Sequence, residues 1–194
     1  MKRESIVTVF GSSRPREGDA DYEEARELGR ILGETGFSVC SGGYNGVMAA
    51  VSRGAKEAGA KTYGVTAEFF SVKVNPWIDE EIRVRTWEER LFKLVSLADG
   101  YIACKGGTGT LVELAVVWEM LNKAVMSGKP FAVLGNFWVP VIERVREVEM
   151  GHRASWSEAN GRLVHPAPSP VEAVSYVEQN LGRGKASAAR KQMR

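Results

Sequence analysis

The most informative segment of the chain is Lys105-Gly106-Gly107-Thr108-Gly109-Thr110-Leu111-Val112-Glu113. A short apolar strand pattern at residues 101–104 precedes it, and a helical pattern follows it directly. Glycines at a strand–helix junction let backbone N–H groups point at a ligand, and the helix N-terminus adds partial positive charge. The stretch therefore predicts a binding loop for a phosphate or another anion, with a carboxylate just inside the helix.

Two earlier segments have a related layout. Residues 39–48 read Val-Cys-Ser-Gly-Gly-Tyr-Asn-Gly-Val-Met, and the strand pattern at residues 6–10 ends in Gly-Ser-Ser. Ligands of open parallel sheets bind outside the carboxyl ends of the strands, so we expect all three loops to contact one ligand at the same sheet edge. The candidate phosphate- and nucleotide-binding residues are Gly11, Ser12, Gly42, Gly43, Asn45, Met48, Gly106, Gly107, Thr108, Gly109 and Thr110.

Strand and helix patterns alternate along almost the whole chain. Such alternation predicts right-handed crossovers, and hence an α/β fold in which helices cover both faces of a mostly parallel sheet, a three-layer sandwich. The predicted strands are residues 6–10, 37–40, 61–65, 82–84, 100–104, 131–134 and 162–164. The predicted helices are residues 21–35, 45–58, 87–98, 110–126, 139–148 and 170–181.

The bulk properties favour one domain over residues 1–181, followed by a basic, flexible tail at residues 182–194. That tail holds five of the 26 basic residues and no acid, so the rest of the chain has 21 basic and 24 acidic side chains. A solvated terminus explains such a segment better than a nucleic-acid arm, so no nucleic-acid partner is expected. Two cysteines without metal-ligand spacing, and no apolar run of about 20 residues, predict a cytoplasmic protein without a metal site or a membrane span.

Two segments depart from the alternation. Residues 67–81 are long, aromatic and contain proline, which fits a substrate-covering loop and a packed surface loop equally well. The predicted helix at residues 110–126 is apolar nearly all round, which predicts burial either in the centre of the domain or at a subunit interface. We expect the interface, and therefore a homodimer or a higher homo-oligomer.

Glu113 allows two interpretations. Thr110 and Glu113 have the spacing of a capping box, in which the glutamate would only stabilise the helix start. The same spacing occurs at Thr86 with Glu89 and at Ser169 with Glu172, and on spacing alone the cap is favoured. The position of Glu113 after a glycine-rich loop favours a chemical role instead. The loop itself lacks the P-loop and dinucleotide-binding signatures, and a turn that merely packs the helix on the sheet remains an alternative.

Arg90 lies in the first turns of the helix that begins after Thr86, where the helix dipole does not favour a cation. A solvated position beside Glu88 and Glu89 is the simple interpretation. However, this helix leads into the strand before the glycine-rich loop, so Arg90 could reach the same ligand. An arginine and a glutamate around a phosphate site would suit cleavage of an N-glycosidic bond, because they could stabilise the departing base and the charged sugar.

Residues 106–113 resemble the Pro-Gly-Gly-x-Gly-Thr-x-x-Glu signature of the LONELY GUY family of cytokinin-activating nucleoside 5′-monophosphate phosphoribohydrolases. Residues 41–48 resemble the second glycine motif of the family, and Glu89-Arg90 resembles its Glu-Arg-Lys segment. The resemblance implies a Rossmann-like fold, an oligomer and a site for an AMP-like purine nucleotide. It also implies that Arg90 and Glu113 form the catalytic pair. No cofactor is expected, because nothing indicates the pyridoxal phosphate lysine of the lysine decarboxylases with which the family was long confused.

The chain departs from this family at two positions and resembles another one elsewhere. Lys105 replaces the proline of the signature, and Leu91 replaces the lysine after the arginine. Asn75-Pro76-Trp77-Ile78-Asp79 and Ser52-Arg53-Gly54-Ala55 resemble the related molybdenum cofactor carrier proteins, which bind their ligand without cleaving it. A non-catalytic nucleotide or cofactor carrier is therefore the alternative function, and a nucleotide sensor that acts through the basic tail is a third.

Overall fold

The strands form where short runs of apolar and β-branched residues lie between amphipathic helices. A computed structural model describes residues 4–126, 128–150 and 160–181. Its strands are β1 (Ile6–Phe10), β2 (Ser38–Ser41), β3 (Thr62–Ala67), β4 (Glu80–Val84), β5 (Gly100–Ala103), β6 (Phe131–Leu134) and β7 (Val164–Ala167). Its helices are α1 (Ala20–Glu34), α2 (Val47–Glu57), α3 (Trp87–Leu97), α4 (Thr108–Asn122), α5 (Val139–Met150) and α6 (Pro170–Asn180).

All seven strands pair in parallel in one sheet of order β4-β3-β2-β1-β5-β6-β7. Strands β2, β3 and β4 follow one another on one side of β1. Strands β5, β6 and β7 lie on its other side, where Phe10 pairs with Ala103. The strand order therefore reverses between β1 and β5, which is the position at which open α/β sheets bind ligands. The loops after β1, β2 and β5 begin at this edge.

Side chains of each central strand alternate between two apolar cores. Val7 and Val9 of β1 pack in the core under α1, α2 and α6, whereas Ile6 and Phe10 pack in the core under α3, α4 and α5. Strands that are buried on both faces read as continuous apolar runs, which is why β1 and β6 were predicted with their observed ends. The predicted three-layer α/β architecture is confirmed.

Helices α1 and α2 meet backbone to backbone. A Cβ at Gly54 would lie 1.9 Å from the Arg26 carbonyl oxygen, and one at Gly29 would lie 2.0 Å from the Val51 carbonyl oxygen. Any side chain larger than hydrogen at these two positions would force the helices apart. The N-terminal ends of both helices reach the sheet edge at which the binding loops begin, so this contact fixes two of those loops relative to each other.

The last strand was predicted wrongly. Residues 160–162 form a 3₁₀ turn, and β7 begins at Val164 and includes Pro166. Proline argues against a central strand because it cannot donate to the ladder, but β7 is an edge strand, where proline is tolerated. The N-cap of α1 is Asp19, which makes no side-chain capping bond.

Helix α4 is not buried on every side, so the central position considered for it is wrong. It begins at Thr108, ends at Asn122 and lies on one face of the sheet. Leu111 on its outer side is 38% exposed, and Val141, Val145 and Val148 of the neighbouring α5 are 37%, 36% and 59% exposed. The two helices therefore present an apolar outer surface, which we call the α4/α5 face, and a subunit interface there stays a prediction.

Among the described residues, none of the helices has the length and apolar content needed to cross a lipid bilayer. The tail predicted at residues 182–194 lies outside the described residues, as do residues 151–159.

Candidate active site

A cavity of about 1180 Å³ opens at the carboxyl ends of β1, β2 and β5. Most of the predicted site residues line it: Gly11, Ser12, Asn45, Met48, Arg90, Gly106, Gly107, Thr108, Gly109, Thr110 and Glu113. Gly42 and Gly43 do not line the cavity and are buried behind it. We call the loops after β1, β2 and β5 the first, second and third loops. The structure brings the first and third loops to one cavity, together with part of the second.

The third loop ends at the N-terminus of α4. Gly107 is the N-cap and has no side chain with which to satisfy the first backbone donors, and the first helical bond runs from the Leu111 N–H to the Gly107 carbonyl oxygen over 2.9 Å. The N–H groups of residues 108–110 therefore lack a side-chain cap and face a site with no acid in the first helical turn. Free donors and the positive end of the helix dipole together suit an anion.

Two glycines of this loop leave space that the protein itself does not fill. A Cβ at Gly107 or Gly109 would meet no atom within 4 Å, and neither glycine has a left-handed backbone conformation. Their small size is therefore not required by packing or by the chain path. Gly106 differs, because a Cβ there would lie 2.2 Å from the Thr110 hydroxyl oxygen. The Thr110 side chain is buried against Gly106, so it supports the loop from below.

Glu113 is not part of a capping box, and the interpretation favoured by spacing is wrong. The helix starts two residues before Thr110, which places Thr110 inside the first turn and Glu113 in the second. Capping boxes do form at the start of α3, between Thr86 and Glu89, and the Ser169 hydroxyl accepts the Glu172 N–H at the start of α6. The Glu113 side chain faces the cavity instead.

Burial raises the pKa of the Glu113 carboxyl from its ordinary 4.5 to about 7, although the charge of Arg90 acts to lower it. A carboxyl with a pKa near neutrality exchanges protons readily at physiological pH, as a general acid or base requires. A perturbed acid in a cavity is also more common at functional sites than elsewhere.

Arg90 is buried on α3 and is held by backbone carbonyl groups. Its Nε donates to the Val65 carbonyl oxygen at 2.8 Å and its Nη2 donates to the Gly42 carbonyl oxygen at 3.1 Å, while its guanidinium lies 5.3 Å from the centre of the Tyr44 ring. Within the described part of the chain, Nη1 has no hydrogen-bond partner. The solvated position considered for Arg90 is wrong, because only 8% of the residue is exposed.

The second glycine motif positions Arg90. A Cβ at Gly42 would lie 1.9 Å from Arg90 Nη2 and 2.6 Å from Met48 Sδ, so only glycine leaves room for the guanidinium. Gly43 packs against Gly64 and Thr66 of β3 with a left-handed φ of 76°. Both glycines were predicted to bind the nucleotide themselves. The structure instead places them behind Arg90, which lines the cavity.

The first loop joins the other two. The Ser12 N–H donates to the Lys105 carbonyl oxygen at 3.2 Å, and the Ser12 carbonyl oxygen accepts the Val47 N–H of α2 at 2.8 Å. The bond to residue 105 uses only a main-chain carbonyl, which proline also has. The Lys105 ammonium points to the first turn of α1, where it pairs with the Asp21 carboxylate at 2.8 Å. The lysine in place of proline therefore adds a surface ion pair without removing a bond that shapes the loop.

With this geometry established, comparison with known proteins gives a family. A model described as the SLOG cluster4 family matches residues 4–151. The chain belongs to the SLOG cluster4 family. Its resemblance to the LONELY GUY proteins is also confirmed: it is 31% identical over 184 residues to the cytokinin riboside 5′-monophosphate phosphoribohydrolase LOG of Oryza sativa, covering 90% of this chain and 72% of that protein.

Solved structures similar to this SLOG family member include molybdenum cofactor proteins. The cofactor binding protein of Rippkaea orientalis has a TM-score of 0.73 at 25% identity, covering 92% of this chain and 98% of that one. The carrier protein of Chlamydomonas reinhardtii also has a TM-score of 0.73 at 25% identity, covering 93% of this chain and all of that one. Both families that the sequence resembles are thus represented among its relatives.

The segment that most resembles the carriers has a structural role in this family member. Asn75 is buried, donates its side-chain N–H to the Tyr44 carbonyl oxygen at 2.9 Å and accepts the Trp77 N–H at 3.0 Å. The Asp79 carboxylate accepts the Thr62 N–H at 3.0 Å. The Asn75 bond fastens the β3–β4 connection to the second loop, the Asp79 bond fastens it to β3, and of these residues only Tyr44 lines the cavity. The same connection also places Phe70 and Val72 on the cavity wall, so it is both a packed loop and part of the site.

Several cavity residues were not identified from the sequence: Ser13, Arg14, Pro15, Asp19, Ala20, Asp21, Tyr44, Phe70, Val72, Trp87, Leu91, Lys105 and Phe137. For most of them no local signal exists, because the chain path alone brings them to the cavity. Trp87 had one usable signal: it stands three residues before Arg90 on the same predicted helix, and residues at this spacing share a helix face. Among the described residues, no group of three or more histidine, cysteine, aspartate or glutamate side chains is placed to hold a metal ion.

Proposed function

We propose that the protein hydrolyses the N-glycosidic bond of a purine nucleoside 5′-monophosphate, an AMP-like nucleotide, to the free base and ribose 5-phosphate. One observation carries the proposal. A glutamate with a carboxyl pKa of about 7 and a buried arginine face the same cavity as an uncapped helix N-terminus. The similarity to a phosphoribohydrolase over most of the chain supports the same reaction.

In the proposed reaction the phosphate binds the N–H groups of residues 108–110, which places the ribose towards Glu113 one turn further along α4. The bond between C1′ and the base nitrogen breaks, and its electron pair leaves with the base. The oxygen of a water molecule bonds to C1′. The ionised Glu113 carboxylate accepts a proton from that water and stabilises the positive charge that develops on the sugar. Glu113 then gives up this proton, which neutralises the departing base, and the carboxylate is ionised again.

Arg90 would stabilise the negative charge that develops in the reaction. Its guanidinium is fixed by two carbonyl oxygens, so it needs little reorganisation when negative charge develops on the leaving base or the phosphate. The remaining guanidinium nitrogen, Nη1, could donate a hydrogen bond to a ligand. A preorganised donor of this kind contributes roughly 10²–10³ in rate in other enzymes.

A carrier function is the second candidate, and the size of the cavity favours it. At about 1180 Å³, the cavity exceeds the roughly 300–1,000 Å³ of ordinary small-molecule sites. A ligand larger than a mononucleotide would fit. The similarity to proteins described as molybdenum cofactor binding and carrier proteins supports this candidate as well.

Incubation with AMP and with N6-substituted AMP, followed by chromatography for free base, separates the two functions. We expect base release by the unmodified protein and at least a hundredfold loss in Glu113→Gln and Arg90→Ala, in line with the loss of a preorganised charge. Glu88→Gln on the exposed start of α3 and Arg83→Met on β4 are the matched controls, since neither residue lines the cavity. Tight nucleotide binding without release by the unmodified protein would exclude the hydrolase and favour the carrier.

We further propose that a second copy of the chain covers the α4/α5 face. The face carries Leu111, Val141, Val145 and Val148, and a shallow groove of about 250 Å³ runs between the two helices. Exposed apolar area of this kind marks interaction sites more often than free surface. Leu111 follows the 106–110 loop directly, so an interface here would adjoin the nucleotide site.

A further inference from the structure

The start of helix α3 is rigidly defined. The Thr86 hydroxyl accepts the Glu89 N–H at 3.2 Å, and the Glu89 carboxylate accepts the Arg85 N–H at 2.9 Å and the Thr86 N–H at 3.4 Å. These backbone donors lower the pKa of the Glu89 carboxyl, so it stays ionised and keeps the box closed near neutral pH. The box makes Trp87 the first residue of the helix.

Trp87 and Arg90 lie on the same face of α3, because residues three apart on a helix are neighbours. Both line the cavity. The helix rise separates them by about 4.5 Å along its axis. Arg90 is buried at the inner position, whereas Trp87 is 38% exposed at the outer one. The helix therefore presents a fixed cation and, one turn outward, a large aromatic ring to the same ligand.

The cavity that Trp87 lines has other apolar side chains that are incompletely covered. Val72 from the β3–β4 connection and Phe137 from the loop before α5 line the same cavity and are 50% and 48% exposed. Phe70 lies beside them, with its ring edge against Tyr44. Among the described residues, no aromatic ring packs on Trp87. Three separate elements thus bring apolar side chains to a cavity that glycine, serine and threonine also line.

We propose that Trp87 is the base-stacking residue of this site and sets its preference for an aromatic base. The inference rests on the nucleotide site proposed above. The N-terminus of α4 takes the charged end of such a ligand, and a flat heterocycle at the other end matches an exposed indole face. Stacking contributes affinity for any base, and it favours purines because their ring face is larger. The leaving base is then held against a fixed ring one turn from the Arg90 guanidinium.

Calorimetric titration with two ligands tests this role. AMP carries the base and ribose 5-phosphate lacks it, and both are titrated in a Glu113→Gln background that prevents turnover. Loss of one base–aromatic stack weakens binding by about 5- to 150-fold. We expect Trp87→Ala to weaken AMP binding within this range and to leave the affinity for ribose 5-phosphate unchanged. Trp87→Phe should retain most of the AMP affinity.

Phe92→Ala is the matched control, since Phe92 lies on α3, is 55% exposed and does not line the cavity. It should change neither affinity. Equal weakening of AMP and ribose 5-phosphate in Trp87→Ala would overturn the inference, because it would mean that the indole only shapes the cavity. Unchanged AMP binding would overturn it as well, and would leave the nucleotide site intact. If the Glu113→Gln protein binds neither ligand, the proposed nucleotide site fails and the inference fails with it.

Discussion

Gly42 and Arg90 lie so close together that a methyl group on Gly42 would overlap the Arg90 guanidinium. Arg90 Nη2 donates to the Gly42 carbonyl oxygen at 3.1 Å, and a Cβ on Gly42 would stand 1.9 Å from the same nitrogen. The two residues are 48 positions apart in sequence. The glycine motif after β2 and the arginine of α3 are therefore one structural unit, even though Gly42 itself does not line the cavity.

Gly42→Ala should displace the Arg90 guanidinium without unfolding the protein. Gly42 does not have a left-handed φ, so the alanine is strained only by the contact with Arg90 and Met48. We expect base release to fall by about a hundredfold and the free energy of unfolding to fall by about 1–3 kcal/mol. Gly161→Ala is the control, because a Cβ there meets no atom within 4 Å. Full activity in Gly42→Ala would show that the position of Arg90 is not critical.

The rate of base release should depend on the ionisation of Glu113. The proposed reaction uses its carboxylate, and the pKa of this carboxyl is about 7. The value of kcat/KM should therefore rise with pH and reach half its maximum near pH 7, since this quantity reports groups of the free enzyme. A pH series from 5 to 9 measures it. A midpoint near the ordinary 4.5 of glutamate would contradict the raised pKa. A rate that falls as the pH rises would contradict the use of an ionised Glu113.

Glu113 should also make the protein less stable as the pH rises. Its folded-state pKa is above its ordinary value, so the folded protein holds the proton more tightly and loses stability between about pH 4.5 and pH 7. The loss is on the order of 3 kcal/mol at most, because each unit of pKa is worth about 1.4 kcal/mol. Glu113→Gln cannot ionise. In thermal unfolding it should be more stable than the unmodified protein at pH 8 and no more stable at pH 4.5, and equal stability at both values would contradict the raised pKa.

Gly109→Ala should raise the stability of the protein and weaken its ligand binding. Replacing glycine by alanine inside a helix stabilises it by up to about 1 kcal/mol, and no protein atom obstructs a Cβ at this position. The new methyl group would instead stand at the mouth of the anion site. We expect a higher melting temperature and weaker binding of ribose 5-phosphate in the same variant. An increase in stability with unchanged binding would place the phosphate elsewhere.

Val145→Glu should prevent association of two chains. The substitution puts a charge in the middle of the α4/α5 face, which desolvation would penalise in an apolar interface. We expect light scattering to show an oligomer for the unmodified protein and a monomer for the variant. Val171→Glu is the control, because Val171 is 59% exposed on α6, on the other side of the sheet. A monomeric unmodified protein would contradict the interface.

The sequence was sufficient for the fold because local and tertiary signals agree in the central strands. β1 and β6 are apolar runs bounded by glycine, proline or serine, and they fall at the expected residues. Thr110 and Glu113 show where local reasoning fails, since the spacing of a capping box is the same inside a helix as at its start. Only the position of the helix start, set by Gly107, decides between the two.

The site was less accessible to sequence reasoning than the fold. The 106–110 loop and the first loop are local features and could be identified. The role of Gly42 could not, because it depends on an arginine that arrives from a distant helix. Trp87, Phe70 and Phe137 come from three elements, and their shared exposure to one cavity exists only in the folded chain.

The close approach of α1 and α2 at Gly29 and at Gly54 has a consequence for motion. Because α1 and α2 touch through their backbones, neither helix can tilt without the other, and their amide protons should exchange with solvent as one cooperative unit. The loops after β1 and β2 are attached to this unit and should therefore also be rigid. We therefore expect the movement that admits a ligand to occur in the opposite wall of the cavity. Nucleotide binding should slow hydrogen exchange mainly in residues 68–74 and at the start of α5.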